Sequence, residues 1–371
     1  MAQSLDSAGT NRAGLTELMK VKQARDVARQ WMVEEASHIP GFCAAYTAGS
    51  TNWLPDDAKM TPASDLDVMV VLADQSVVAD QCQASNRGKF IYHETLLEVS
   101  YLRKDQFQSP EQVLSDYHLA PSFRTTKVLL DPFNCLTPLL AAVSRNYAKR
   151  QWVQRRCANA RDKVLKHLRS IKEQSAFHDQ VIACLFAAGI TSQVLLVAGL
   201  RNPTVRARYL AVRELLPEYG RAEFHEMLLE LLGAARISRE RASRHVAALA
   251  EIFDAAKRAI KTPFPFASDI SDCARAIAIE GSRELIERGY HREAMFWIGV
   301  THCRCLQILS SDAPGGLSQS FRESYQELLS DLSLASLGDI QRRGAEIERM
   351  LPRVCDLAEE IIAANDEVED D

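Results

Sequence analysis

The spacing of apolar residues changes once along this 371-residue chain, near Asp131-Pro132. Before that point the apolar residues form short runs bounded by polar residues, which is typical of β-strands. After it, the chain as far as Asn365 is rich in Ala, Leu, Arg and Glu at helical spacing. A chain of this length favours two domains over one. The change therefore predicts an α+β protein, in which a small mixed-sheet domain precedes an all-α helical bundle.

The first part of the chain is predicted to contain one helix and several strands. Residues 13–37 alternate apolar and charged residues at helical intervals, and Ile39-Pro40-Gly41 ends that helix. Only Glu94 and Thr95 separate the third strand from the fourth, so we expect a tight hairpin there. The predicted strands are residues 42–48, 66–72, 90–93, 96–102 and 127–130.

These patterns divide the chain into three parts. We place the sheet domain at residues 1–135, the helical domain at 136–364 and an acidic tail at 365–371. The tail has too little apolar surface to bury anything, so we expect it to be frayed and disordered. Pro- and Gly-containing breakers separate the predicted helices, at Asn202-Pro203, Pro217, 262–266 and 312–316.

One segment, residues 181–200, carries no charge and is long enough to span a bilayer. Thr191, Ser192 and Gln193 in its middle favour a helix buried at the centre of a bundle instead. The nine cysteines are an odd number without a CxxC pair, which predicts reduced thiols. The polar N-terminus lacks the apolar segment of a secretory signal. We therefore expect a cytoplasmic protein with no membrane partner.

The overall charge gives no general attraction for nucleic acid, because 44 Lys and Arg face 49 Asp and Glu, a net charge of -5. Such a partner would need a local patch, and nucleic acid is not the expected partner. Residues 145–172 are the candidate patch, since they are rich in Lys and Arg and contain one acid, Asp162. One side of this predicted helix carries four recurring cations, Arg145, Lys149, Arg156 and Lys163. A solvated face, a triphosphate contact and a nucleic-acid surface all remain open for it.

The most informative motif is Asp65-Leu66-Asp67 at the start of a predicted strand. Alternate residues of a strand face the same side, so both carboxylates project together while Leu66 and Val68 face the opposite side. Two like charges so close together are costly unless a cation lies between them. Hard oxygen ligands of this kind suit Mg²⁺. The pair is therefore a candidate metal site.

Two neighbouring features extend this candidate site. The first predicted strand runs directly into Gly49-Ser50-Thr51, where a glycine lets the backbone approach a phosphate and two hydroxyls can donate to it. Glu98 lies within an apolar strand, between Leu97 and Val99. A carboxylate is costly to bury unpaired, so a metal ion or another cation is its expected partner.

Taken in order, Gly49-Ser50, Asp65-Leu66-Asp67 and Glu98 resemble the polymerase-β-like nucleotidyltransferase superfamily, in particular the antibiotic-modifying branch that includes kanamycin nucleotidyltransferase. The resemblance covers the first third of the chain. It implies that Ser50, beside Gly49 and Thr51, contacts the phosphates of ATP or another nucleoside triphosphate. It also implies that Asp65 and Asp67 hold Mg²⁺, and that Glu98 is a third ligand or the base that activates the acceptor.

The same resemblance adds one candidate from the helical domain. In the kanamycin branch a lysine of that domain reaches the triphosphate, which makes Lys149 a candidate for this contact. The chain departs from the family pattern in two ways: residues 51–64 form a longer spacer than usual, and the third carboxylate, Glu98, is a Glu rather than the commoner Asp.

The expected reaction is transfer of a nucleoside monophosphate, AMP from ATP, to a hydroxyl of a small molecule, with release of pyrophosphate. Glu293, on a predicted helix with aromatic neighbours, is an alternative base. An RNA end or a protein side chain is an alternative acceptor. A non-catalytic nucleotide-binding interaction protein is the alternative from another class. The sequence does not determine the oligomeric state.

Overall fold

The computed structural model describes residues 18–61, 64–73, 88–313 and 318–371. Within these residues the fold is mixed α+β, with a five-stranded sheet and many helices. The strands lie in the order β3-β4-β2-β1-β5 across the sheet. Their bounds are β1 Phe42–Ala48, β2 Leu66–Leu72, β3 Lys89–Tyr92, β4 Thr95–Arg103 and β5 Val128–Leu130.

The sheet is mixed because β2 and β4 run parallel, whereas the other neighbouring pairs are antiparallel. The end of β1 therefore lies beside the beginning of β2, and β4 lies on the other side of β2. In the register, Asp67 pairs with Ala48 on one side and with Glu98 on the other, and Lys89 pairs with Glu98. The polar residues of the sequence motif are thus gathered at one edge of the sheet.

Successive residues of the strands point to opposite faces of the sheet, as predicted. Leu66, Val68 and Leu97 belong to one apolar cluster, together with residues of helix α1, Val21–Glu34. The predicted helix of residues 13–37 is thus found over a shorter range, and its first residues lie outside the described part. The opposite face of the sheet is covered by α2 Pro110–Ser115, α3 Ala120–Thr125 and α4 Thr137–Asn146.

The predicted hairpin between β3 and β4 is present, but its loop is His93-Glu94 rather than Glu94-Thr95. Both loop residues have positive φ, 42° and 62°. Tyr92 and Thr95 pair across the strands on either side of the loop. Positive φ at both central residues is the conformation of a two-residue type I′ turn, whose twist matches that of the strands.

The rest of the described chain is helical. The helices are α5 Arg150–Ser170, α6 Phe177–Ala198, α7 Arg208–Leu215, α8 Phe224–Leu232, α9 Arg239–Ala259, α10 Asp272–Arg275, α11 Gly281–Glu287, α12 Met295–Asp312, α13 Gln319–Asp331 and α14 Leu337–Ala364. A π-helical turn, Ala276–Glu280, joins α10 to α11. The predicted breakers at Asn202-Pro203, Pro217 and 262–266 each fall between two of these helices. The one at 312–316 begins at the last residue of α12, and residues 314–316 lie outside the described part.

Helix α6 is the central helix of the bundle. Among the described helices, α6 alone is long and apolar enough to cross a membrane, with a mean hydropathy of 2.2. However, 89% of its apolar stretch is buried inside the protein. Thr191 and Ser192 are fully buried, and their hydroxyls donate to backbone carbonyls one turn earlier. The prediction of a helix at the centre of the bundle is confirmed.

The prediction of a frayed acidic tail is wrong. Val368 packs against the bundle core, and Asn365 is buried. The Glu369 amide donates to the Ala148 carbonyl at 3.0 Å, and Arg124 binds the Glu367 carboxylate at 2.6 Å. The composition of the tail hid this arrangement because its partners, Arg124 and Ala148, come from distant parts of the chain.

Candidate metal and nucleotide site

The three predicted carboxylates form one cluster at the edge of the sheet. Asp65 lies just before β2, Asp67 within β2, and Glu98 opposite Asp67 on β4. One carboxylate oxygen from each lies within 4.8 Å of the others. Leu66 and Leu97 pack against α1, and successive residues of a strand point to opposite faces. All three carboxylates are therefore on the face of the sheet opposite α1. Such a set of oxygen donors could hold a metal ion.

Gly49, at the end of β1, is required by both the backbone and the neighbouring carboxylate. Its φ of 70° and ψ of -164° lie in a region essentially restricted to glycine. A Cβ at this position would lie 1.6 Å from Oδ2 of Asp67. The glycine therefore lets the end of β1 lie directly against the carboxylate cluster.

The turn after Gly49 separates the two candidate hydroxyls. Ser50 is exposed at the start of a 3-10 turn. Asn52 stabilises this turn, because its side-chain amide donates to the Thr47 carbonyl at 2.7 Å. Thr51 is 1% exposed, its hydroxyl has no partner among the described residues, and its carbonyl accepts from Arg25 of α1.

The prediction that Thr51 contacts phosphate gains no support, because the turn directs this residue into the interior. Of the two hydroxyls, Ser50 remains accessible at the end of β1.

Lys89 is a member of the cluster that the sequence analysis missed. Its ammonium group contacts the Glu98 carboxylate and lies 3.2 Å from both Asp65 and Asp269. Burial alone would lower its pKa, but the three carboxylates outweigh that effect and raise it. Lys89 is therefore charged, and it neutralises part of the cluster.

The helical bundle contributes the remaining charged groups. Asp269 lies on a short turn between α9 and α10, and Arg304 of α12 donates to it at 2.8 Å. A Cβ on Gly88 would lie 2.0 Å from the Ser268 hydroxyl, so the start of β3 packs directly against this turn. Burial lowers the pKa of Arg206, and the Asp65 charge opposes that shift, which puts a further cation near the cluster.

The cluster has an excess of negative charge. Asp65, Asp67, Glu98 and Asp269 are four carboxylates, whereas two cations, Lys89 and Arg304, form ion pairs with them. Among the described residues, no cation forms an ion pair with Asp67. Burial, followed by the charges of Asp65 and Glu98, raises the Asp67 pKa well above its ordinary value.

Glu98 experiences the same deficit of positive charge. Burial raises its pKa to about 7, although the contact with Lys89 opposes this. Raised carboxylate pKa values are expected where several carboxylates lie close together without enough cations. The residues of the cluster therefore fit a divalent cation by their donor chemistry and by their unbalanced charge.

Lys149 does not join this cluster in any described contact. It directly precedes α5, and its backbone pairs with Glu369 of the C-terminal segment. The predicted cationic face is further reduced because Arg156 is fully buried, where it donates to the Leu114 and Tyr147 carbonyls. The prediction for Lys149 therefore gains no support, since the acidic tail adjoins the start of the basic helix.

Glu293, the alternative base, forms a separate cluster inside the bundle. It is 2% exposed and accepts from Arg213 at 2.6 Å, while the His225 ring lies 3.7 Å away. No described contact joins it to the carboxylate cluster. Its partners give it the role of a buried ion pair rather than that of a base for the sheet-edge site.

The residues missed by the sequence analysis carry weak local signals. Lys89 begins a short strand whose alternation does not distinguish it from a surface lysine. Asp269 follows a segment rich in Pro and Phe that reads as a simple breaker. Comparison of the sequence with protein-family models and with curated proteins finds no match. The functional assignment therefore rests on the residues of the site.

Proposed function

We propose that this protein is a Mg²⁺-dependent nucleotidyltransferase that moves AMP from ATP to a hydroxyl of a small molecule and releases pyrophosphate. The main support is the cluster of Asp65, Asp67 and Glu98, whose oxygens lie within 4.8 Å of one another beside a glycine that ends β1. When bound there, Mg²⁺ would neutralise charge on the phosphates and on the leaving pyrophosphate.

The protein's own residues would bind and orient the nucleotide. Gly49 leaves room for the backbone to approach a phosphate, and the exposed Ser50 hydroxyl can donate to one. Lys89 is long and flexible, so its ammonium can move from Glu98 towards a phosphate when a metal ion takes its position. Arg206 supplies a further positive charge near Asp65.

We assign Glu98 the role of a third metal ligand, because it pairs directly with Asp67 across the sheet. The alternative is a base, and a pKa of about 7 in the absence of metal is compatible with it. Activity against Mg²⁺ concentration at several pH values separates the two roles. As a ligand, Glu98→Gln weakens the Mg²⁺ dependence at every pH. Unchanged Mg²⁺ dependence with a lost acidic limb would instead identify a base.

Pyrophosphate release tests the proposed reaction directly. ATP, Mg²⁺ and a panel of hydroxylated compounds should give release with at least one compound, and Asp65→Asn should abolish it. Asp162→Asn is the matched control, because that carboxylate is exposed on α5 and pairs only with Arg161 in the described structure. RNA ends and protein hydroxyls belong in the same panel as alternative acceptors. Equal activity in Asp65→Asn and wild type would refute the metal assignment.

One observation favours a second candidate, a nucleotide-binding interaction protein without turnover. Lys89 already neutralises two of the three carboxylates of the cluster, as expected where a metal site has been replaced by ion pairs. That protein would bind ATP with the same affinity in Mg²⁺ and in EDTA. A nucleotidyltransferase would bind ATP more tightly in Mg²⁺, so calorimetry under both conditions distinguishes the two.

A further inference from the structure

A second site lies between the end of β4 and the helical bundle. This pocket has a volume of about 400 Å³, and its walls include Leu102 of β4, Lys163 and His167 of α5, Phe186 of α6 and Arg208 of α7. A volume of this order is typical of sites for small molecules. None of these residues belongs to the carboxylate cluster.

Arg208 is a buried cation held in this pocket. It is 1% exposed, and its Nη1 has no partner among the described residues. Its Nε donates to the Val205 carbonyl at 2.7 Å, and the guanidinium lies 4.0 Å from the centre of the Phe296 ring. A Cβ on Gly189 would lie 2.7 Å from Nη1, so the glycine makes room for this group. A buried guanidinium with an unused donor is costly without an anion beside it.

The rest of the pocket is also positively charged. Lys163 lines it with Arg208, whereas Asp116 is the one carboxylate among the lining residues. One oxygen of Asp116 is already used, because it accepts the backbone amides of His118 and Leu119 at 2.8 and 2.9 Å. Two permanent cations thus face a single carboxylate that is partly engaged. A ligand with a negative group would be attracted, and one with amino groups would be repelled.

The wall of the pocket adds an aromatic surface. The rings of His167 and Phe186 are stacked, with centres 5.5 Å apart. Burial, followed by the charges of Lys163 and neighbouring cations, lowers the pKa of His167. The imidazole is therefore neutral at physiological pH, and it can stack on a planar ligand or donate one hydrogen bond.

The pocket faces the same side of the sheet as the carboxylate cluster. Leu102 packs on the face opposite α1, and Glu98 lies four residues earlier on the same strand, hence on the same face. At about 3.3 Å per residue, the two positions are separated by roughly 13 Å. Arg206, whose charge interacts with Asp65, lies in the short segment that also supplies Val205 and Arg208 to the pocket.

We propose that this pocket binds an anionic group, a phosphate or a carboxylate, carried by the acceptor of the nucleotidyl transfer. The inference rests on the proposed function, and it adds the class of acceptor. The acceptor carries its reacting hydroxyl at the carboxylate cluster and its negative group in the pocket, beside Arg208 and Lys163. The triphosphate of the nucleotide is the other anionic group that could occupy the pocket.

Binding of inorganic phosphate, measured by calorimetry at constant ionic strength, tests the pocket. Lys163→Gln should weaken phosphate binding by about tenfold, because a charge-assisted hydrogen bond is lost. Arg208→Gln should weaken it at least as much, and Lys163→Gln provides the test if that variant does not fold. Lys172→Gln, an equal charge change at an exposed position just beyond α5, should leave it unchanged. Equal phosphate affinity in Lys163→Gln and wild type would overturn the inference.

A second titration identifies the source of the anion. The affinity for ATP in Mg²⁺ should be the same in Lys163→Gln and wild type, whereas a tenfold loss would assign the pocket to the triphosphate and overturn the acceptor inference. The two proposals fail separately. Wild type that binds phosphate in the pocket but shows no Mg²⁺-dependent ATP binding would refute the nucleotidyltransferase. Wild type that binds ATP in Mg²⁺ but no phosphate would refute only the pocket.

Discussion

Two clusters of buried charge in this molecule differ in how well they are neutralised. Inside the bundle, the Glu293 carboxylate is paired with Arg213 at 2.6 Å and lies near the His225 ring. At the sheet edge, four carboxylates share the two cations Lys89 and Arg304. The Glu293 charge has a cation of its own, whereas the sheet-edge cluster keeps an excess of negative charge.

This difference shows how a structural ion pair is distinguished from a candidate functional site. Both clusters contain an acid in an apolar setting, and the sequence treated Glu98 and Glu293 alike as candidate bases. Burial, together with neighbouring carboxylates, raises the pKa values of Asp67 and Glu98 in the sheet-edge cluster. Groups with strongly perturbed protonation are concentrated at functional sites, because a ligand completes their environment.

The largest expected effect is on ATP binding, which should be lost when the sheet-edge cluster is changed and kept when the bundle cluster is changed. Asp67→Asn should weaken Mg²⁺-dependent ATP binding by at least about 100-fold, a loss that corresponds to a few kcal/mol of metal coordination. Glu293→Gln should leave it unchanged, because Glu293 has no described contact with the sheet-edge cluster. Calorimetry in Mg²⁺ measures both variants. Equal losses in the two variants would remove the distinction between the clusters.

Gly49→Ala should disturb the sheet-edge cluster through the backbone. An alanine must leave the φ of 70°, and its Cβ would otherwise overlap the Asp67 carboxylate. We expect a loss of about 1–3 kcal/mol in the free energy of unfolding, accompanied by weaker metal binding. Denaturant unfolding gives the first quantity. Gly220→Ala is the control, because φ there is also positive but a Cβ would meet nothing within 4 Å. Equal metal affinity in the two variants would contradict the contact with Asp67.

Glu293→Gln should affect stability rather than ligand binding. The substitution removes the negative charge that pairs with Arg213. The Arg213 side chain is 44% exposed, however, so water can hydrate it instead. We therefore expect a loss of about 1–2 kcal/mol in the free energy of unfolding, less than for a fully buried pair. Urea denaturation measures it. A stability equal to that of wild type would show that this cluster is not an important ion pair.

The metal-free sheet-edge cluster should become less stable as the pH rises. The pKa values of Asp67 and Glu98 are raised by folding, so their contribution is complete below the ordinary carboxylate pKa and is lost as the pH rises to about 7 and above. In EDTA, Asp67→Asn should therefore melt above wild type at pH 8, by roughly 2–4 °C for each kcal/mol of relieved repulsion.

At about pH 4 the melting temperatures of Asp67→Asn and wild type should converge, because the raised pKa keeps Asp67 protonated in the folded protein and the unfolded chain also takes up the proton near that pH. Saturating Mg²⁺ at pH 8 should raise the wild-type value above that of the variant. Thermal melts at both pH values, with and without metal, measure these differences. A variant that melts below wild type at pH 8 in EDTA would show that the Asp67 charge is already compensated.

The smallest effect is expected at Lys149. Its backbone pairs with Glu369, and it has no described contact with the carboxylate cluster. Lys149→Ala should therefore change the affinity for ATP in Mg²⁺ by less than about twofold, as is usual for an exposed charge remote from a site. A tenfold loss would restore the triphosphate role that the resemblance implied.

Much of the fold could be predicted because the governing interactions are local. The runs Phe42–Ala48 and Leu66–Leu72 are observed as predicted, and the long apolar segment is the central helix α6. The C-terminal segment could not be predicted, because Glu367 and Glu369 are bound by groups far away in the sequence. Strand alternation correctly separated Asp67 from Leu66 and Val68, which pack on the side of α1.

The candidate site was predicted only where one motif supplies its residues. Asp65 and Asp67 follow from the alternation of a single strand, and Glu98 from its apolar neighbours. Lys89 and Asp269 come together only through the packing of the bundle against β3, which no local pattern specifies. The burial of Thr51 depends likewise on a short turn whose direction is fixed by Asn52.

Binding of Mn²⁺, followed by electron paramagnetic resonance of the free ion, tests most directly the claim that the sheet-edge cluster needs a divalent cation. Wild type should bind Mn²⁺ in competition with Mg²⁺, and Asp67→Asn should not. Lys89→Met should bind it more tightly than wild type, because the ammonium that contacts Glu98 and Asp65 is removed. Absence of Mn²⁺ binding in both wild type and Lys89→Met, with ATP present, would contradict the account.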